Sequence, residues 1–210
     1  MRRFRAIVVL ALLLISVAAA QQQPQRGAPL AAPGGQPGGR GAGRGAIQVL
    51  TLASDAWADG GSIPPKYTQA GDQVSPPLTW TNVPDSAVSF VLLMHDVDAA
   101  SGNGTEDILH WMLWNIPAAA RSLAEGVPQG SQLPDGMRQI SASGPYYRGP
   151  GASAAGPVHH YVFELYALDA VLDVPAVGAS PPQTRAAVLA AMAGHVRGKG
   201  AYVGLFKRRR

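Results

Sequence analysis

Three continuous apolar runs limit the possible folds more than any other feature of this 210-residue sequence. They cover residues 88–94, 110–116 and 161–167. Each is too short for a typical helix and lacks in–out alternation, which is the pattern of a strand covered on both faces. Pro117 ends the second run, and the third is rich in aromatic and β-branched residues. Residues 201–206 predict one more short strand. Only 182–196, rich in Ala and Leu, reads as a helix. Ser180 is its expected cap, with Pro181 and Pro182 near the first turn. Gly198 is its expected stop, flanked by Arg197 and Lys199 near the negative end of the helix dipole. Many short strands between Gly- and Pro-rich turns, followed by one late helix, predict a mainly β fold: an antiparallel β-sandwich with a C-terminal peripheral helix.

The folding body spans 47–206, enough residues for one domain with a core of its own. Ahead of it, Arg2, Arg3 and Arg5 precede an apolar run at 6–17, and Ala18, Ala19 and Ala20 supply small residues for cleavage. Residues 1–20 therefore read as an export signal cleaved near Ala20, which places the protein in a periplasmic or extracellular setting. A retained anchor is the alternative. Residues 21–46 are rich in Gln, Pro, Gly and Arg, with almost nothing large to bury, and read as a disordered linker. Residues 207–210 form a basic tail. The absence of cysteine excludes both disulfides and lipid attachment at a cysteine of this chain.

Most of the positive charge lies outside the body. Of 17 Lys and Arg residues, seven fall within 47–206, against all 13 Asp and Glu, so the body carries a formal charge of about −6. This distribution argues against a nucleic-acid binder, whose cations must lie on the folded face that meets phosphate. It leaves open contact with an envelope protein or a membrane surface through the basic ends.

Polar residues gather where the three runs begin or end. The first leads into His95, Asp96, Val97 and Asp98; the second begins at His110; His159 and His160 precede the third. Alternation along a strand puts His159, Tyr161, Phe163 and Leu165 on one face, and likewise His110, Met112 and Trp114. Asp96 and Asp98 point the same way if the chain stays extended through Val97. These ends can assemble a pocket of two carboxylates, two imidazoles and a phenol, with Gly149, Pro150 and Gly151 bringing backbone close to an anion. Taken singly, each residue also has a plain structural role, as surface histidine, turn-forming Asp or core Trp.

Five segments together resemble the phosphatidylethanolamine-binding protein family, in its bacterial Raf-kinase-inhibitor-like branch. They are Ser75-Pro76-Pro77-Leu78-Thr79-Trp80, Asp96-Val97-Asp98-Ala99, His110-Trp111 through Asn115, Gly144-Pro145 through Gly151, and His159-His160-Tyr161-Val162-Phe163. The resemblance runs from about Ser54 to Phe206. It implies a non-enzymatic site for phosphate or a phosphorylated head group, formed by Asp96, Asp98, His110, Gly149, Pro150, His159 and Tyr161, with no cofactor and no metal. A carboxylate beside a histidine is expected to favour the imidazolium, which offers two donors to an anion. The chain departs from the family pattern at Val97 and Ala100, where prolines are usual, and at the bulky Tyr146-Tyr147-Arg148. Other readings are an inhibitor of a secreted protease, an envelope interaction module, or a metal-dependent hydrolase built on the same Asp and His residues.

Overall fold

The computed structural model describes residues 47–210. The signal and linker readings, 1–20 and 21–46, lie outside the described residues. In chain order the elements are β1 (Gln48–Val49), β2 (Thr51–Ala53), β3 (Gly61–Ser62), β4 (Leu78–Thr81), β5 (Ser89–Ser101), β6 (Glu106–Pro117), β7 (Ser122–Leu123), β8 (Arg138–Ile140), β9 (His159–Leu168), α1 (Pro181–Ala191) and β10 (Val196–Phe206).

The main sheet runs in the order β1-β10-β9-β5-β6-β8, with β3 also paired to β10. Its long strands are antiparallel, and only the two-residue strands β1 and β3 lie parallel to β10. A smaller sheet, β2-β4-β7, forms the second β layer. The three apolar runs are the central strands β5, β6 and β9, covered on both sides as their composition requires. On one face, Phe90, Leu92, Met94, Trp111, Leu113, Phe163 and Leu165 pack with Leu52, Leu78 and Trp80 of the small sheet. On the other, Val91, Leu93, Met112, Trp114 and Leu168 pack with Val188 of α1 and with Met192 just past it.

Trp111 and Trp114 are both fully buried, on opposite faces of β6. Met112 and Trp114 share a face as alternation predicts, but His110 does not join them. Met94 pairs with Trp111 and His95 with Leu109, so His110 is an extra residue, a β-bulge, that has no partner across the ladder. The bulge puts His110 on the side of Tyr161.

The helix ends at Ala191 rather than near Val196, and the last strand starts at Val196 rather than at 201. Gly194 adopts φ 85°, a left-handed conformation that suits glycine and turns the chain out of the helix. Gly198, the expected stop, instead lies inside β10 opposite Gln48. It and Gly200 let the chain around Leu50 pack closely, since a Cβ at Gly200 would sit 2.6 Å from the Leu50 carbonyl oxygen. At the other end of α1 the capping expectation holds. The Gln183 side-chain oxygen accepts from the Ser180 N–H at 3.0 Å and from its hydroxyl at 2.8 Å.

Candidate functional site

The antiparallel pairing of β5 and β9 sets Asp96 directly opposite Tyr161, with His159 at the start of β9. The His159 Nδ1–H donates to Asp96, at 2.8 Å from Oδ2 and 3.1 Å from Oδ1. The bulge brings His110 in from the other side, its ring edge-on to Tyr161 at 5.0 Å between centroids. His159 lies roughly parallel to the same phenol at 6.5 Å. One tyrosine ring thus separates two imidazoles that stand 49 residues apart in the chain. Asp96, His110, His159 and Tyr161 converge as the sequence suggested.

The 149–152 loop closes the group. Tyr161 Oη accepts from the N–H of Gly151 at 3.1 Å and of Ala152 at 3.2 Å. The His110 Nδ1–H donates to the Arg148 carbonyl at 2.8 Å. Gln69 holds the loop from behind: its Nε2 donates to the Gly149 carbonyl at 2.8 Å and its backbone N–H to the Pro150 carbonyl at 2.9 Å. Gly149 is small for packing reasons, since a Cβ there would come within 2.8 Å of the Tyr67 carbonyl oxygen. Gln69 and the Arg148 carbonyl were not legible as site components, because each acts through a long-range contact.

Burial governs the electrostatics. It pushes His110 below the usual histidine range, against the pull of the Arg148 carbonyl and the Asp96 charge. His110 is therefore held neutral at pH 7. Burial, reinforced by the Asp96 charge, raises the Tyr161 phenol far above its ordinary value and keeps it protonated. Each Nδ1 is engaged, so Nε2 is the remaining polar atom on each ring. A neutral ring held in this way offers a lone pair at Nε2, and only a second proton makes that atom a donor.

Asp98 is placed differently. Its backbone N–H donates to Asp96 Oδ1 at 3.1 Å, and β5 leaves its ladder with β9 after Asp96. The two carboxylates consequently do not point the same way. Asp98 Oδ2 accepts instead from the N–H of His160 at 2.5 Å and from its Nδ1–H at 2.9 Å. The His160 backbone N–H, followed by its ring, holds the Asp98 carboxyl below the usual range. Among the described residues, no three His, Asp or Glu side chains are grouped to hold a metal ion. The four residues of the metal-hydrolase reading split into the Asp96–His159 pair, a His110 tied to a carbonyl, and the Asp98–His160 pair.

The group is nearly closed rather than an open pocket. Tyr161 has no exposed surface, and Asp96 and His110 are buried; His159 and Gly151 form the partly exposed edge. A larger cleft of about 720 Å³ lies beyond Arg148, between the β5–β6 hairpin and α1, where Asp107, Ile108, Arg185 and Leu189 line it. On that side of the sheet a second charged group appears. His95 Nδ1 bonds Asp107, which also takes Arg185, while His95 Nε2 lies 3.4 Å from Glu164, which pairs with Lys199 at 2.6 Å. Alternation was the available signal for this group, since it sends His95 to the face opposite Asp96.

Residues 53–207 match the phosphatidylethanolamine-binding protein family. The chain belongs to that family. A UPF0098 protein of Methanothermobacter thermautotrophicus is 42% identical over 161 residues, covering 76% of this chain and 99% of the relative. A Mycobacterium tuberculosis protein named as a lipoprotein, LppC, is 35% identical over 76% of this chain and 75% of its own length. Among solved structures, a phosphatidylethanolamine-binding protein homologue from Chlamydia trachomatis superposes with a TM-score of 0.59 at 29% identity, covering 76% of this chain and 98% of that one. Escherichia coli YbcL, described as a new member of the mammalian family, superposes with a TM-score of 0.64 at 22% identity, covering 76% of this chain and 99% of YbcL. The mainly β architecture with one late helix is thus the fold of the phosphatidylethanolamine-binding protein family.

Proposed function

We propose that this protein binds a small phosphorylated or otherwise anionic group, without catalysing its conversion, at the exposed edge of the Asp96, His110, His159 and Tyr161 group. The carrying observation is that both imidazoles pack on one phenol with their Nδ1 atoms already engaged. Nε2 is then the atom left on each ring for a ligand. Asp98 and His160 form the outer rim, and Gly149 and Pro150 shape the inner wall. The family is generally one of non-catalytic binding proteins, which favours a binder over a hydrolase. The lipoprotein name of the mycobacterial relative supports an exported or envelope setting, alongside the arginine-led apolar run at the N-terminus.

The geometry makes a specific demand. A neutral imidazole Nε2 repels a bare phosphate dianion but accepts from a phosphate hydroxyl, so the monoanion is the form that binds. Calorimetry of inorganic phosphate in buffers of different ionisation enthalpy should show uptake of about one proton per site above pH 7, with affinity falling as pH rises. His159→Ala should weaken phosphate by about ten- to a hundredfold, the worth of one charge-assisted hydrogen bond. Unchanged affinity in that variant, or binding without proton uptake, rejects the site.

A further inference from the structure

The cleft between the β5–β6 hairpin and α1 plays no part in the site at His159. Its volume of about 720 Å³ is that of a small-molecule pocket. Ile108 of β6 lines it on one side, and Pro181, Pro182 and Leu189 of α1 line it on the other. Leu189 is 40% exposed there, whereas its neighbour Val188 is buried in the core. Pro181 and Pro182 are the first two helical residues and carry no N–H, so the helix start is an apolar wall rather than a cradle for an anion. The charges of the cleft are unevenly matched. Asp107 is taken by Arg185 and His95. Glu106 stands exposed at the hairpin end, four residues along β6 from His110. Arg148 marks the inner end, since its N–H donates to the His110 carbonyl at 3.0 Å and its carbonyl accepts from the His110 ring at 2.8 Å. Arg121, Arg138, Arg185 and Arg197 all have acceptors for their guanidinium groups. Arg148 is half-buried in the cleft wall and forms no ion pair with any described residue.

We propose that this cleft is a second binding site, for a compact apolar monocarboxylate whose carboxylate pairs with Arg148 and whose body lies between Ile108 and Leu189. One unpaired guanidinium matches one carboxylate through its fork of N–H donors. A phosphate dianion would find a single cation there and no backbone N–H from the helix start. Glu106 at the far end repels a carboxylate and so directs the ligand's charge inward, to Arg148. The apolar walls then receive the rest of the molecule. This site is independent of the anion reading at His159.

The test titrates the full chain with 4-phenylbutanoate and with the uncharged 4-phenylbutanamide, followed by the methyl NMR signals of Ile108 and Leu189. The acid should shift both residues to saturation and bind at least about tenfold more tightly than the amide, the worth of one charge-assisted pair. Arg148→Gln should bring the acid down to the amide's affinity and leave the amide within about threefold of its native value. Leu189→Asp, a change at an exposed position, should weaken the acid by at least about tenfold through repulsion and loss of the apolar wall. Excess inorganic phosphate should not displace the acid. Equal affinity for acid and amide, an acid indifferent to either substitution, or displacement by phosphate overturns the second site. Failure of inorganic phosphate to bind at all, with the acid still held through Arg148, overturns the reading at His159 and upholds this one.

Discussion

Trp111 and Trp114 show how much a single side chain contributes here. Both are fully buried, and each indole N–H has an acceptor: Gln139 Oε1 at 2.8 Å for Trp111, the Val174 carbonyl at 3.0 Å for Trp114. Either Trp→Ala change should cost about 3–5 kcal/mol, read as a lower urea midpoint, because it leaves a large cavity; Trp111→Ala also orphans Gln139 Oε1, whereas the Val174 carbonyl keeps its bond from Arg138. An unmoved midpoint in both variants would contradict the placement of β6. Gly149→Ala tests the site loop. Its methyl group collides with the backbone at Tyr67 and Thr68, so the loop must shift, at a cost of about 1–3 kcal/mol. The proton signal of His110 Nδ1–H should then move, because Arg148, its acceptor, is the adjacent residue.

Between elements, the charged group around His95 ties β5 to β6, β9, β10 and α1. Burial alone would lower the His95 pKa, but Glu164 and Asp107 outweigh it and the net shift is upward. Glu164 is pulled down to about 2, chiefly by His95 and, against its burial, also by Lys199. The raised histidine contributes stability fully below its unfolded pKa, ~6.5, and loses it as pH rises through the folded value. The depressed carboxylate contributes above its unfolded pKa, ~4.3, and loses it as pH falls toward 2. The stability difference between the native protein and Glu164→Gln should therefore be largest at about pH 4.5–6.5 and shrink on both sides. His110 destabilises the fold as pH falls below ~6.5, but it does so in both proteins and cancels from the difference. A difference that stays flat across this range would rule out the coupling. The same elements show what sequence could reveal. Strand β9 was readable because alternation holds along it from His159 to Ala167, so Tyr161 and Phe163 fell on the correct face. The side taken by His110 was not, because a bulge is a property of two paired strands. The helix end was misplaced because Gly194 and Gly198 look alike locally, and only tertiary pairing makes one a stop and the other a strand residue. The Asp98–His160 contact depends on where β5 leaves its ladder, which no local pattern records.

Across the whole molecule, residues 21–46 have a composition with little to bury. Deleting them should leave the melting temperature within a few degrees, and a larger drop would show that they pack on the body. The body itself keeps two acid–histidine systems back to back on one sheet. Asp96 with His159 and His110 lies on the face of Tyr161; Asp107 and Glu164 with His95 lie on the face toward α1. Neighbouring residues of single strands, His95 and Asp96, Asp107 and Ile108, serve different sides. The bulge at His110 maintains this division, because the same residues paired without it would set His110 against His95 and Leu109 against Asp96, turning everything from Leu109 back to Glu106 over to the other face. Asp107 would then be carried from His95 to the side of Tyr161, adding a negative charge beside Asp96, at the proposed anion site. One unpaired residue therefore acts as a partition: it lets one sheet hold the Asp107–His95–Glu164 charge cluster on one face and the Asp96–His159 pair with His110 and Tyr161 on the other.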